Sequence, residues 1–386
     1  MVPRVWSFAV VLAAACGPTP AEPDDVVCWS DRISTDRHDS VFALAVDSEV
    51  NTYVVGATSG QYDATQAWHD GYGFVIRYGR DGRRLWTREL GGRHEDSAAS
   101  VALTPSGNVV VGGGLGDEAD PATKDLGVEP DPSGTVVRRF EPETPGTALH
   151  VAVASDGSVY FAGLAEPDPD LRPFVARFDQ QGRLLWLEMI DSPEDDWPHA
   201  LTVDENGNAY VVGSTSGSLA SESAGGAFIA KLAPDGARAW TKQLGTAGDA
   251  TAYDAVIEAD GTLFITGQTA RDTNLDGEPT LGNVDGFALR LDPDGEPHET
   301  MHFGTGEKDY GWRALTNDGD AVAVLGGGHG SFVAWLDSEG SSTLTTPVIP
   351  EGLRPSDATL VEGRLLVAGS VGDATSDDVV VAWLCE

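Results

Sequence analysis

Side chains able to stack on, hydrogen-bond to or ionise against a ligand recur along this chain in short clusters. They are Arg37, His38 and Asp39; His94, Glu95 and Asp96; Asp195, Asp196, Trp197 and His199; Tyr253 and Asp254; and Lys308, Asp309, Tyr310 and Trp312. Ring faces suit stacking on a sugar or a peptide, and carboxylates suit hydroxyl or cation contacts. The candidate binding set is therefore His38, Asp39, His94, Asp96, Asp196, Trp197, His199, Tyr253, Asp254, Tyr310 and Trp312. The rival reading is that the Asp side chains cap tight turns and bond neighbouring elements. A separate loop, Asp272, Asn274, Asp276 and Gly277, spaces alternate side-chain oxygens as a calcium loop does. The bidentate Glu that would close such a loop is absent. Asn283 stands at that spacing and Asp285 just beyond it, so an incomplete structural calcium site competes with a plain Asx-rich turn. No other cofactor is expected.

Catalytic motifs are weak throughout. The chain has no H-E-x-x-H, C-x-x-C, P-loop or G-x-S-x-G, and its glycine runs at 112–116 and 326–330 fall at strand ends rather than between a strand and a helix. Cleavage of a polysaccharide by a carboxylate pair is an open alternative, but among 61 Asp and Glu a pair arises by chance. Those acids against 24 Lys and Arg give a net charge of −37, which argues against nucleic acid and against electrostatic docking on anionic lipid.

The elements that must position these clusters come from a repeat. A unit of about fifty residues recurs, clearest from Pro198 onward: HALTVDENGNAYVVGST, a polar loop, then AFIAKLAPDGARAWTKQLG. Its four apolar stretches are separated by turn chemistry. The order returns near Val41, Ala98, Ala148, Ala252, Gly311 and Asp357, seven copies in all. Four strands at this period, without helical spacing, predict a seven-bladed β-propeller over residues 26–386. The second copy runs from VVRRFE straight into the next unit and is expected to have three strands. Trp29, Trp86, Trp186 and Trp240 recur at one position of the outer strand and are expected to pack between blades.

The last copy stops after its third strand, and the missing strand is expected at the other end. Val26–Ser40 aligns with Arg83–Ser97, so an N-terminal strand should complete the C-terminal blade and leave no unpaired edge. That register puts Cys28 and Cys385 on adjacent strands, which predicts a disulfide in an oxidising compartment. Ahead of the repeats, one early Arg and an apolar run, Val5–Ala15, read as a signal peptide over 1–16. Residues 17–25, rich in Pro and acids, read as a flexible tether.

Two resemblances extend this reading. Leu12–Cys16, LAAAC, resembles the lipobox of bacterial lipoproteins, which implies lipidation of Cys16; Ala13 stands where that family more often has Leu, and ordinary secretion is the rival. Gly17 after the cysteine is similar to lipoproteins sorted to the outer membrane. The repeats, through GNAYVVGSTS, AFIAKLAPDG and WTKQLG, resemble the SBBP-type propeller repeats of bacterial surface proteins. That resemblance implies fold and compartment and is nearly silent on activity.

Turns of three or four residues alternate with long polar connections at 57–72, 115–133, 214–226 and 268–285, and alternation places the long ones on the same rim as the links between blades. Variable loops on a rigid scaffold are where function lives. The expectation is a non-enzymatic, monomeric cell-surface binder of a glycan, peptide or protein, joined to the membrane only through its lipid. The rival class is a propeller enzyme: the D-x-x-G-x-x-x-W rhythm also resembles quinone-cofactor propellers, although no clamp for a cofactor ring is identifiable.

Overall fold

The computed structural model describes residues 4–7, 27–35, 38–59, 71–91, 96–116, 124–142, 146–165, 172–190, 192, 194–220, 225–245, 250–270, 284–303, 308–316, 322–327, 332–336, 342–345, 353–372 and 377–384. The chain divides into two compact units, one comprising 1–20, 169–173 and 189–347, the other 21–168, 174–188 and 348–386.

Among the described residues all regular structure is β. In the blade over 196–244, Asp196–Val203, Ala209–Thr215, Gly226–Leu232 and Arg238–Leu244 pair in chain order as an antiparallel meander. Its two middle strands are buried at nearly every position, because blades pack on both faces. The outer strand is mostly exposed or half-buried and carries the charged residues. Blades of the same form cover 39–90, 97–140, 146–189 and 310–345. The blade over 354–384 takes Val27–Ile33 as its outer strand, antiparallel to Asp377–Leu384, with Val27 opposite Leu384 and Trp29 opposite Trp383. Cys28 sits in the irregular step between those pairs and is disulfide-bonded.

The count contradicts the seven blades expected: among the described residues six sheets, not seven, have the four-stranded form of a blade. The unit over 250–303 is instead a five-stranded sheet, because Arg4–Ser7 adds in parallel along its outer strand, Arg4 opposite Glu299 and Ser7 opposite His302. The second blade also departs from expectation, since it has four strands. Val136–Phe140 is its outer strand, and Lys124–Pro130, KDLGVEP, is its third. The sequence hid that strand because Gly127 and Pro130 are turn residues and Asp125 and Glu129 are charged, yet all of Asp125, Leu126, Val128 and Glu129 are buried.

One turn recurs between strands. Asp204 accepts from the amides of Asn206 (2.9 Å) and Asn208 (2.8 Å) while its own amide donates to the Asn208 carbonyl, and Gly207 closes the turn at a φ of 79°. Asp47, Asp179 and Asp292 act alike. The turn also receives the preceding blade. Trp86 Nε1 donates to the Pro132 carbonyl at 2.9 Å and Trp240 Nε1 to that of Pro293 at 3.3 Å, each indole lying over the turn glycine, Gly134 or Gly295. The D-x-x-G-x-x-x-W rhythm is thus a latch between neighbouring sheets.

Candidate functional site

Every first strand carries a β-bulge at one position, and the bulge decides which side chain is displayed. Pairing slips between Val41 and Ala43, Ala98 and Ser100, Ala148 and His150, Pro198 and Ala200, Ala252 and Asp254, Gly311 and Arg313, and Pro355 and Asp357. The extra residue of a bulge is left outside the ladder and re-aims its side chain. Here those residues are Phe42, Ala99, Leu149, His199, Tyr253, Trp312 and Ser356. A glycine faces each bulge for a steric reason: a Cβ on Gly213 would lie 2.0 Å from the Trp197 carbonyl oxygen, and one on Gly56 or Gly267 would meet Ser40 or Thr251 equally closely.

In the unit containing 189–347 two bulged residues, His199 and Tyr253, form an aromatic strip with Tyr310, two positions before the bulged Trp312. His199 and Tyr253 meet edge to face with centroids 5.6 Å apart, and Tyr253 meets Tyr310 in the same way at 6.5 Å. Trp197 and Tyr310 are 41% and 38% exposed, which leaves both rings open to solvent. Trp312, the third bulged residue of this unit, is half-buried. His199 Nε2 lies 3.1 Å from Ser214 Oγ, and burial holds its imidazole below the ordinary histidine range, so it is neutral near pH 7. Burial raises the Tyr253 phenol, with the neighbouring Tyr310 adding to the effect. Neutral rings and hydroxyls therefore make up this strip.

The acidic members of the sequence-derived set have other work. Asp39, fully buried, accepts from the Thr35 amide (2.7 Å) and the Thr58 hydroxyl (2.5 Å). Asp196, likewise buried, accepts from the amide and hydroxyl of Ser192, and the buried Asp96 carboxyl packs against Gly91. Asp254 accepts from the Ala255 and Ala314 amides at 2.9 Å and faces Arg313 at 3.3 Å, joining two adjacent sheets. Burial pushes its carboxyl up, and Arg313 and the amides oppose that. Asp357 repeats the device toward the Leu44 amide at 2.7 Å. These contacts match the reading of the Asp residues as caps and inter-sheet ties. His38 is exposed, and its carbonyl accepts from the Ser59 amide.

His94, Cys16, Cys385 and the loop residues Asp272, Asn274 and Asp276 lie outside the described residues. Among the described residues no group of three or more His, Cys, Asp and Glu side chains is arranged to hold a metal ion. Two participants escaped the sequence reading. Ser214 touches His199 from the second strand, and Gln243 clamps the connection after that strand, donating to the Gly217 and Gly225 carbonyls and accepting from the Leu219 amide. The exposed Phe42 was missed because a bulge has no signature in one copy of a repeat; the alignment of Phe42 with His199 and Tyr253 against the facing glycines was the available signal.

Comparison with known proteins agrees with this architecture. The model of the SBBP β-propeller repeat matches residues 187–220. An uncharacterised WD repeat-containing protein, L264 of Acanthamoeba polyphaga mimivirus, is 24% identical over 222 residues, which span 51% of this chain and 14% of that relative's length. Among solved structures, a catalytically inactive virginiamycin B lyase from Staphylococcus aureus superimposes with a TM-score of 0.57 at 11% identity, covering 92% of this chain and 99% of the lyase. The WD40 domain of Neurospora crassa Pan2 gives 0.56 at 12%, covering 89% and 88%. At such identities the likeness shows the fold alone, and that fold serves enzymes and binding domains alike.

Proposed function

We propose that this protein is a non-enzymatic binding propeller that takes a carbohydrate, peptide or protein on the aromatic strip of Trp197, His199, Tyr253, Tyr310 and Trp312. The observation that carries the reading is that the bulges, each faced by a glycine, set His199 and Tyr253 of successive sheets edge to face, with Tyr310 of the next sheet against Tyr253. Rings held by backbone geometry lose little entropy on binding and offer the stacking and hydrogen-bonding contacts that sugars and peptides use. Glycan-array and pull-down assays test it. The strip variants Trp197→Ala and Trp312→Ala, combined, should abolish the signal given by the unaltered protein, and undiminished binding would remove the proposal.

One observation favours a second reading, a polysaccharide-cleaving enzyme: a neutral His199 beside a serine hydroxyl and a tyrosine has the character of a general base. Release of reducing ends from a polysaccharide panel, abolished by His199→Ala, would establish it over the binding role.

The same proposal puts the protein outside the cytosol, anchored through lipid on Cys16 once the residues ahead of that cysteine are removed, with Cys28 bonded to Cys385. Mass spectrometry of the membrane fraction should find the acylated cysteine and, under oxidising conditions, a linked Cys28–Cys385 peptide. A melting temperature lowered by chelation would establish calcium at Asp272, Asn274 and Asp276, and an unchanged one would leave that loop a turn.

A further inference from the structure

In three sheets the outer surface is sealed by three stacked groups: a ring on the second strand, a cation on the third and a tryptophan on the fourth. Arg77 lies over Tyr53 at 5.4 Å with Trp86 against the same ring, Arg177 over Tyr160 at 5.2 Å with Trp186, and Lys231 over Tyr210 at 5.1 Å with Trp240. The strand register puts Val110, Glu129 and Arg138 at the corresponding positions of the blade over 97–140. No ring is present in that set, and its charges are reversed.

The consequence is a void. Arg138 packs on Gly182 in the next blade's turn, the position Trp86 and Trp240 occupy over Gly134 and Gly295, but a guanidinium fills less of the groove than an indole. A cavity of about 340 Å³ remains, lined among others by Thr104, Ser106, Glu129, Arg138, Asp156 and Gln180. That volume is at the small end of the ligand-pocket range, roughly 300 to 1,000 Å³. The site is built. Glu129 is 2% exposed, with Oε1 held by Asn108 Nδ2 at 2.7 Å and Oε2 2.8 Å from Arg138 Nη1 without a well-directed hydrogen bond.

The lining also fixes the class of ligand. Glu129 is matched by Arg138, and Asp156 by Arg177 at 3.0 Å, so either carboxylate is already neutralised. An ionic guest would have to compete with one of these pairs. A neutral guest carrying several hydroxyls adds hydrogen bonds to carboxylate, guanidinium, hydroxyl and amide groups and disturbs neither pair. We infer that the cavity between the blades over 97–140 and 146–189 is a binding site for a neutral polyhydroxyl ligand of monosaccharide size, separate from the aromatic strip.

The experiment uses the full chain with D-glucose, D-galactose, D-mannose and N-acetylglucosamine as probes, read by saturation-transfer NMR and calorimetric titration. At least one sugar should bind saturably. Arg138→Trp restores the indole of the sister blades and should refill the void, weakening that sugar about tenfold or more, measured in a Trp197→Ala, Trp312→Ala background so that a sugar on the aromatic strip does not contribute. Gln180→Ala, on an exposed turn, should weaken it several-fold and decides the matter if Arg138→Trp does not fold. Failure of all four sugars, equal affinity in the altered proteins, or tighter binding of inorganic phosphate or methylamine than of any sugar would overturn the inference. In that background the outcome reports on the cavity whatever the aromatic strip binds.

Discussion

Replacing Gly213 by alanine tests the bulge, and with it the display of the aromatic strip. The new Cβ would sit 2.0 Å from the Trp197 carbonyl oxygen and 2.7 and 3.0 Å from Phe228 ring atoms. A carbon–oxygen contact needs about 3.3 Å, so the first and second strands must part by about 1.3 Å at this point. That strains one or two ladder hydrogen bonds, each worth about 0.5–1.5 kcal/mol net, and the crowded Phe228 adds about 1–3 kcal/mol of overpacking. The expected loss is about 2–4 kcal/mol. Gly107→Ala is the comparison: its φ is 84° but nothing lies within 4 Å of the new methyl, so only the backbone term of about 1–2 kcal/mol applies. Urea titration of both variants reads the difference as a shift in midpoint. A Gly213→Ala protein within about 0.5 kcal/mol of the parent, the range of ordinary surface changes, would refute the steric account of the repeated glycine.

Three further outcomes follow from the geometry. Trp240→Phe keeps a ring against Tyr210 but loses the hydrogen bond to the Pro293 carbonyl, and should cost about 0.5–1.5 kcal/mol by urea midpoint; an unchanged midpoint would dismiss the latch. Asp204→Ala removes the acceptor for two turn amides and should cost about 1–2 kcal/mol, measured in the same way. For His199, burial lowers the folded pKa below the unfolded value of about 6.5. Between those two values the unfolded state binds more protons, so stability is complete above about pH 6.5 and falls as the pH drops toward the folded pKa. The midpoint difference between pH 7.5 and pH 5 should therefore shrink in His199→Gln, and an equal difference in both proteins would count against a buried, neutral imidazole.

Sequence periodicity revealed the β-propeller repeat because its signals are local: turn residues at fixed offsets and alternating apolar stretches. It also read Trp86, Trp186 and Trp240 correctly as packing residues, since one residue type at one repeat position points to a shared neighbour. The count failed at a place where local signals do not reach, the parallel edge formed by Arg4–Ser7, which arises from pairing with residues nearly three hundred positions away. Lys124–Pro130 was missed for another reason. Its Asp125 and Glu129 are buried against Arg139 and Arg138, so charge, the usual mark of a loop, here belongs to an interior strand. At the site, composition identified the aromatic members but could not separate them from the aspartates beside them. That separation depends on the bulge, which turns His199, Tyr253 and Trp312 out of the ladder while Asp39, Asp96, Asp196 and Asp254 stay buried.

The two candidate sites arise from one property of the repeat. The framework is held by recurring groups: the glycine facing each bulge, the tight turn between strands, and the indole or its substitute over the next turn. The bulged residue belongs to none of these, and so it ranges from Ala99 and Ser356 through Leu149 and Phe42 to His199, Tyr253 and Trp312. A position free of framework duty can be an aromatic ring in one sheet and a methyl in another at little cost to folding. The cavity beside Arg138 follows the same logic in reverse. There a framework position has itself been given up: the sealing set of ring, cation and indole is replaced by Val110, Glu129 and Arg138, and the blade keeps its four strands through Leu126, Val128 and Phe140 in the core. A residue that breaks a repeat and is still fully buried and paired, as Glu129 is, is retained for a reason other than packing. For that reason the departures from the repeat, rather than its strongest matches, are the places to look for ligands in this molecule.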